Sequence, residues 1–210
     1  MRNILCFGDS NTFGYIPGGG RYPRHVRWTG RLQMRLGQGW HVIEEGMCGR
    51  TTVWDDPIDS MRCGIRYLPI VLSSHQPLDM AVVSLGTNDC KSIFCAPPGV
   101  IAMGLRRVIR GILQHPYDIG AAPRIVIVSP IHIGDMEKSA MHPAFDGDSA
   151  EKSRRLALLF RDAAIENGCL FLDAAQVAAP SERDHLHMEP EGHAALADAL
   201  AKLILDTPGL

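Results

Sequence analysis

The sequence lacks any apolar run long enough to cross a membrane. Hydrophobic residues make up 46% of the 210 residues, but no stretch approaches the roughly 18 consecutive apolar residues of a membrane-spanning helix. The first apolar run stops at Gly8 and Asp9, which is too early for the core of a secretory signal peptide. We therefore expect a cytoplasmic protein with no membrane partner.

The sequence also lacks a strong excess of one charge and any closely spaced pair of cysteines. Its 21 Lys and Arg and 23 Asp and Glu residues give a formal net charge of −2, which gives no reason to expect nucleic acid as a partner. None of the six cysteines forms a Cys-x-x-Cys pair, so neither a zinc knuckle nor a thioredoxin-type motif is predicted. We interpret most of the cysteines as small buried apolar residues of a reducing compartment.

Five short apolar runs alternate with helical segments along the chain, and its length predicts a single domain over residues 1–210. The two longest runs do not alternate with polar residues, which is typical of parallel strands covered on both faces. The alternation predicts an α/β fold, a three-layer α/β/α sandwich on a five-stranded parallel sheet. The predicted strands are 4–7, 41–43, 80–85, 124–129 and 169–172. Three predicted helices cover 28–36, 67–74 and 100–113. A fourth helix begins with the capping pattern Asp148-x-x-Glu151, and a last helix has Pro190 in its first turn.

Two predicted loops are long for a fold of this kind. They cover about residues 51–66 and 132–149, and each follows a predicted strand. Loops of this length are often functional. Both are candidates for walls or lids around a site.

A serine follows the first predicted strand directly. Ser10 ends the sequence Gly8-Asp9-Ser10, at the sheet edge where open α/β sheets bind ligands. A serine becomes an effective nucleophile when an imidazole takes its proton and a carboxylate orients that imidazole. Ser10 is therefore a candidate nucleophile, although a single motif of this kind more often only caps a turn.

An imidazole and a carboxylate that could serve this serine occur near the other end of the chain. Asp184 and His187 are three residues apart, after the last predicted strand, and can meet within one turn. A second interpretation is a solvated loop with a helix-capping carboxylate. A third is a metal site, because His185, His187 and His193 are close in sequence, but no His-Glu-x-x-His pattern accompanies them.

Two further turns at predicted strand ends carry candidate donors for a negatively charged oxygen. Asn88, in the block 86–89, offers two side-chain N–H donors, and Gly49 lets the backbone approach a ligand closely. Acyl transfer needs such donors at the oxygen that becomes negative. Each turn alone fits ordinary turn chemistry. All four motifs, however, fall at the carboxyl edge of one predicted sheet.

These four blocks resemble the signature blocks of the SGNH (GDSL) hydrolases, in the same order over essentially the whole chain. Within that family the sequence is similar to the short bacterial arylesterase/acyltransferase group, in the stretches 4–10, 26–28, 42–46, 50–52 and 77–79. It departs from that group at Asn11, where relatives usually carry an apolar residue, and at Phe13, where tryptophan is frequent. The blocks that carry the resemblance are Gly8-Asp9-Ser10, Gly49, Gly86-Thr87-Asn88-Asp89, and Asp184 with His187.

The resemblance implies a flavodoxin-like sheet and a serine esterase site. Ser10 would be the nucleophile, His187 the general base and then acid, and Asp184 the residue that orients His187. The implied oxyanion hole comprises the N–H groups of Ser10 and Gly49 and the side chain of Asn88. A strand order of 2-1-3-4-5 would place Ser10 and Asn88 at the switch point of the sheet. By the same analogy the substrate pocket is lined by Asn11, Cys48, Thr87, Lys91 and Leu186.

We therefore expect a serine esterase that hydrolyses short-chain, acetyl-type esters, with acyl transfer to an alcohol or peroxide as a side activity. Its partner would be a small-molecule ester, with no cofactor and no metal, and the family analogy favours a homo-oligomer. A carbohydrate O-acetyl esterase is a rival that the polar Asn11 slightly favours. Weaker rivals are a thioesterase or lysophospholipase, a non-catalytic sugar-binding module on the same fold, a zinc hydrolase, and a thiol enzyme that uses Cys48.

Overall fold

Five parallel strands form one sheet in the computed structural model, which describes residues 1–208. The strand order is β2-β1-β3-β4-β5, as the family resemblance implies. After β2 the chain crosses back to the far side of β1, so the switch point lies between β1 and β3. The strands are β1 (Arg2–Gly8), β2 (Trp40–Gly46), β3 (Met80–Ser84), β4 (Arg124–Ser129) and β5 (Leu170–Asp173).

Helices cover both faces of this sheet, and the predicted three-layer sandwich is confirmed. Side chains alternate along β1, so that Leu5 and Phe7 join one core while Ile4 and Cys6 join the other. The helices are α1 (Ser10–Phe13), α2 (Trp28–Leu36), α3 (Gly64–His75), α4 (Pro98–Leu113), α5 (Gly147–Glu166) and α6 (Pro190–Leu205). Helices α3, α4 and α5 cover the first core, and α2 and α6 cover the second.

Helix α5 begins differently from the sequence prediction. Its N-cap is Asp146, whose side chain accepts the N–H of Ser149 at 2.8 Å and completes a capping box with that serine. The predicted pair of Asp148 and Glu151 was wrong, because Asp148 already lies inside the helix and pairs with Lys152 at 2.7 Å. The prediction that Pro190 lies in the first turn of α6 is confirmed, since it is the first residue of that helix.

The cysteine prediction holds for half of the cysteines. Cys6, Cys63 and Cys90 are buried, Cys48 and Cys169 are half-buried, and Cys95 is exposed. None of the helices within residues 1–208 is both long and apolar enough to cross a bilayer.

The loop between β4 and α5 is attached to the segment that follows β5. The backbone N–H of Gly134 donates to the carbonyl of His185 at 2.8 Å, and the hydroxyl of Ser139 donates to the carbonyl of Asp184 at 2.5 Å. These bonds hold the loop at the carboxyl edge of the sheet, beside the ends of β1 and β3.

Candidate active site

Ser10 follows β1 in a turn whose glycine, Gly8, cannot be replaced by a residue with a side chain. A Cβ atom added at Gly8 would lie 2.8 Å from the carbonyl oxygen of Ser84 on β3, so the close approach of β1 and β3 requires glycine. Asp9 caps α1 by accepting the N–H of Asn11 at 3.0 Å. Ser10 is therefore the first helical residue, on a fixed backbone.

A continuous chain of hydrogen bonds joins Ser10, His187 and Asp184, three nearly fully buried residues. Nε2 of His187 lies 2.9 Å from the Ser10 hydroxyl, and Nδ1 lies 2.7 Å from Oδ2 of Asp184. Because an ionised carboxylate only accepts hydrogen bonds, Nδ1 carries the proton and Nε2 accepts from the serine. In this geometry the imidazole can take the hydroxyl proton as the serine attacks an electrophile.

The carboxylate of Asp184 is fixed by its other oxygen. Oδ1 accepts the backbone N–H groups of Leu186 and His187, at 3.1 and 2.9 Å. Burial raises the pKa of this carboxyl, but the hydrogen bonds from His187 and Leu186 outweigh it, so that the pKa of Asp184 lies below its usual value. Asp184 therefore stays ionised and keeps the imidazole in one tautomer.

Asn11 holds the segment that carries His187. Its side-chain oxygen accepts the N–H of Met188 at 3.0 Å, and its amide nitrogen donates to the carbonyl of Leu186 at 3.4 Å. The prediction that Asn11 lines the substrate pocket is thus corrected, because both ends of its amide are engaged by the backbone on either side of His187. The ring of Tyr15 packs against the imidazole at a centroid distance of 4.5 Å.

Gly49 and Asn88 lie in the same cleft as Ser10. Asn88 begins a short helical turn after β3, and its side-chain nitrogen donates to the carbonyl of Arg50 at 3.1 Å. Gly49 has a φ of 78°, a left-handed conformation that favours glycine. The Asn88 amide carries two N–H groups, so one remains available for a ligand oxygen.

Two buried charged residues that the sequence reasoning missed hold these donors in place. The Arg50 guanidinium donates to the carbonyls of Gly8, at 3.0 Å, and Glu45, and burial lowers its pKa to about 10. The Asp89 carboxylate accepts the N–H and the hydroxyl of Thr52, and burial raises its pKa to about 6. Both residues adjoin the motif positions Gly49 and Asn88, which is the signal that could have identified them.

The cleft beside Ser10 has a volume of about 220 Å³. Cys48, Lys91 and Leu186 line it, whereas Thr87 does not. Thr87 instead faces a small cavity of about 10 Å³ behind the site, which corrects its predicted place in the pocket. The remaining walls are Tyr15 and, from the loop between β4 and α5, Met141, Ala144 and Phe145. The predicted loop 132–149 therefore does form a wall of the cleft, although the sequence analysis named none of these four residues.

The histidines considered as metal ligands have separate environments. Nδ1 of His193 accepts the N–H of Trp28 at 3.3 Å, while His187 bonds to Ser10 and Asp184. Within residues 1–208, no group of three His, Cys, Asp or Glu side chains is arranged to hold a metal ion. Burial also raises the pKa of the Cys48 thiol, which disfavours the thiolate that a cysteine nucleophile requires.

Comparisons with known proteins agree on one class of enzyme. The model of the GDSL-like lipase/acylhydrolase family matches residues 6–195. The chain is similar to Est24, a carbohydrate acetylesterase from Sinorhizobium meliloti, at 36% identity and a TM-score of 0.93, over 98% of this chain and 99% of that one. It is also similar to an aryl esterase from M. smegmatis, at 34% identity and a TM-score of 0.92 over the same shares of the two chains. No curated protein sequence matches significantly.

Proposed function

Because the chain belongs to the GDSL-like lipase/acylhydrolase family and is a carboxylic ester hydrolase, we propose that it cleaves short-chain acyl esters with Ser10, His187 and Asp184 as its catalytic triad. The observation that carries this proposal is the unbroken hydrogen-bond chain from the Ser10 hydroxyl through His187 to Asp184. A non-catalytic binding module on the same fold would not require a hydrogen-bond chain that can transfer a proton.

The reaction proceeds in two acyl-transfer steps. The Ser10 oxygen attacks the ester carbonyl while His187 takes the hydroxyl proton. His187 then gives this proton to the departing alcohol oxygen, the ester C–O bond breaks, and an acyl-Ser10 ester remains. Water attacks that ester with His187 again as the base, and release of the acid restores the serine. An alcohol or a peroxide in place of water would give acyl transfer or perhydrolysis.

The negative oxygen of each tetrahedral intermediate is stabilised by the N–H groups of Ser10 and Gly49 and by the Asn88 side chain. Three features support this assignment: Ser10 begins a helix, Gly49 has a left-handed backbone, and Asn88 is fixed by its bond to the Arg50 carbonyl. Hydrogen-bond donors whose positions are fixed before the reaction do not need to reorganise when the negative charge develops.

The acyl group is acetyl to butyryl. Leu186, Met141 and Phe145 line the cleft of about 220 Å³ beside Ser10, and a small acyl group fits between these walls. We expect the kcat/KM of p-nitrophenyl esters to be highest at or below four carbons, and we expect Ser10→Ala to abolish turnover while circular dichroism shows an unchanged fold. A maximum at eight carbons or beyond would contradict the short acyl group, and an active Ser10→Ala variant would contradict the triad.

A carbohydrate O-acetyl esterase is the second candidate. A buried ion pair, Lys91 with Asp56 at 2.7 Å, borders the cleft and supports it, because a polar border suits hydroxylated alcohols. Release of acetate from acetylated monosaccharides with a kcat/KM above that of aryl acetates would favour this candidate over an aryl esterase. The reverse ranking would exclude it.

A further inference from the structure

A second cavity lies directly beside the proposed catalytic cleft. Its volume is about 500 Å³, against about 220 Å³ for the cleft, and the two share Lys91 and Ala144 as walls. Residues outside the proposed triad and oxyanion hole supply its remaining lining, among them Asp56, Ile58 and Ile93. A substrate attached to Ser10 can therefore extend past Lys91 into this space.

The boundary between the two cavities is polar and fixed. The Lys91 ammonium lies 2.7 Å from Oδ2 of Asp56, and the two side chains are only 13% and 3% exposed. Oδ1 of Asp56 in turn accepts the backbone N–H groups of Ile58 and Asp59, at 2.9 and 3.2 Å. An ammonium group has three N–H donors. Among residues 1–208 only Asp56 accepts one of them, which leaves two for a ligand.

Half of the residues that line the second cavity are apolar. Ile58 is 84% exposed and Ile93 is 42% exposed, and Pro143 and Ala144 come from the loop between β4 and α5. Asp59 and Ser92 add polar groups to the Asp56–Lys91 pair. Large apolar side chains around a concavity that contains a few fixed polar groups are typical of ligand sites. A ligand with apolar faces and hydroxyl groups at its edge matches this lining.

We propose that the second cavity binds the alcohol portion of the ester, and that this portion is a hydroxylated ring such as a sugar. The inference rests on the proposed function, in which a small acyl group occupies the cleft at Ser10 and only the alcohol portion is large enough to need further space. The ring packs its C–H faces against Ile58 and Ile93 while its hydroxyls accept the free N–H groups of Lys91. An aliphatic acyl chain would cross the Asp56–Lys91 pair without offering it any hydrogen bond, and burial of unpaired polar groups is unfavourable.

The test fills the cavity without touching Ser10, His187 or Asn88. Ile93→Trp places an indole in the space, and Ile165→Trp is its matched control, because Ile165 is 69% exposed on α5 and lines neither cavity. The two substrates are methyl acetate and a methyl glycoside that carries one O-acetyl group. For each substrate the kcat/KM of the variant is divided by that of the wild type, so that the intrinsic reactivity of the ester cancels.

We expect Ile93→Trp to lower kcat/KM for the acetylated glycoside by about tenfold or more through a higher KM, and to change it for methyl acetate by less than about twofold. Ile58→Trp, at a more exposed position, should give the same pattern if Ile93→Trp folds poorly. Equal losses for both substrates, or no loss for the glycoside, would overturn the proposal. With methyl hexanoate as a third substrate, a loss as large as that for the acetylated glycoside would overturn it too. Methyl acetate turnover that survives Ser10→Ala would instead contradict the proposed function.

Discussion

Two regions of the molecule meet at the cleft, and they are built in different ways. Ser10 and Asn88 lie in turns directly after β1 and β3, whereas His187 lies in a turn 14 residues after the end of β5. Each turn is fixed by a hydrogen bond between a side chain and the buried backbone. The opposite wall, Met141 to Phe145, belongs to the long connection between β4 and α5. The strand ends thus hold the reacting groups in fixed positions, whereas the loop determines the shape of the space for the substrate.

Because of this difference, we expect the strand ends to determine the rate of the reaction and the loop to determine which esters bind. Turns anchored to a parallel sheet hold the proposed reacting groups within hydrogen-bond distance of each other, which acyl transfer requires. Loops accept substitutions that would disrupt a strand, and binding specificity therefore commonly resides in them. We expect changes at the strand ends to affect the rate for every ester, and changes in the loop to affect the choice among esters.

At the strand ends, the largest loss of rate is expected from Asp184. Asp184→Asn keeps the side-chain shape and can still accept the backbone N–H groups of Leu186 and His187. Its amide nitrogen, however, would favour the wrong imidazole tautomer, so kcat should fall about 10⁴-fold for all esters. The measurement is steady-state kinetics on aryl acetates. The matched control is Asp198→Asn in an exposed ion pair on α6, and a loss below about tenfold would contradict the proposed role.

Asn88 should give the next largest effect. Asn88→Ala removes one proposed donor to the negative oxygen, and kcat should fall by about 10²–10³-fold with little change in KM. Asn167→Ala, which removes a side chain that caps the C-terminal end of α5, is the control. An Asn88→Ala enzyme within about threefold of the wild type would place Asn88 outside the oxyanion hole.

A smaller and selective effect is expected in the loop. Met141→Ala enlarges the cleft, so the ratio of kcat/KM for hexanoate to that for acetate should rise by about tenfold, while acetate hydrolysis changes by less than about threefold. Competition assays with mixed esters measure this ratio directly. Met103→Ala on the exposed side of α4 should leave the ratio unchanged. A uniform loss for both esters would contradict the division of roles between strand ends and loop.

The smallest effect concerns stability and comes from Asp89, which joins the turn of Asn88 to the loop of Thr52. Burial raises its pKa from 3.8 to about 6, so the native state binds the proton more tightly than the unfolded chain. Stability from this group therefore falls as the pH rises through the interval between about 4 and 6. Because the side chain of Asp89→Asn stays neutral, the stability of this variant should not decrease over this pH interval. Thermal unfolding at several pH values measures the difference, and Asp206→Asn, at an exposed position, is the control. Identical pH profiles for wild type and Asp89→Asn would contradict the assignment.

The sequence predicted most of the fold because the central strands are continuous apolar runs. The strand at 80–85 and the one at 124–129 agree with β3 and β4 to within one residue. The start of α5 was missed because three acidic residues, at 146, 148 and 151, compete for the cap, and the choice depends on where the preceding loop enters the helix.

The reacting residues could be named from the sequence because Ser10 and Asn88 directly follow their strands, while Asp184 and His187 lie three residues apart in one motif. The exceptions were Asn11, which follows the motif serine, and Thr87, which lies within the block 86–89; both line the small cavity behind the site. The loop 132–149 was predicted as a candidate wall, but Met141 and Phe145 could not be named within it, since their place in the cleft depends on tertiary bonds such as Ser139 to Asp184. Such contacts between distant segments leave no periodic signal in the sequence.

Trapping the acyl-enzyme would show whether Ser10 carries the acyl group, on which the whole proposed mechanism depends. Wild type and Ser10→Ala would be mixed with p-nitrophenyl acetate, quenched in acid within the first turnovers, digested and analysed by mass spectrometry. We predict one acetyl group on the wild-type peptide that contains Ser10 and none on the same peptide of Ser10→Ala. An acetyl group on another residue, such as Cys48, together with turnover by Ser10→Ala, would contradict the mechanism.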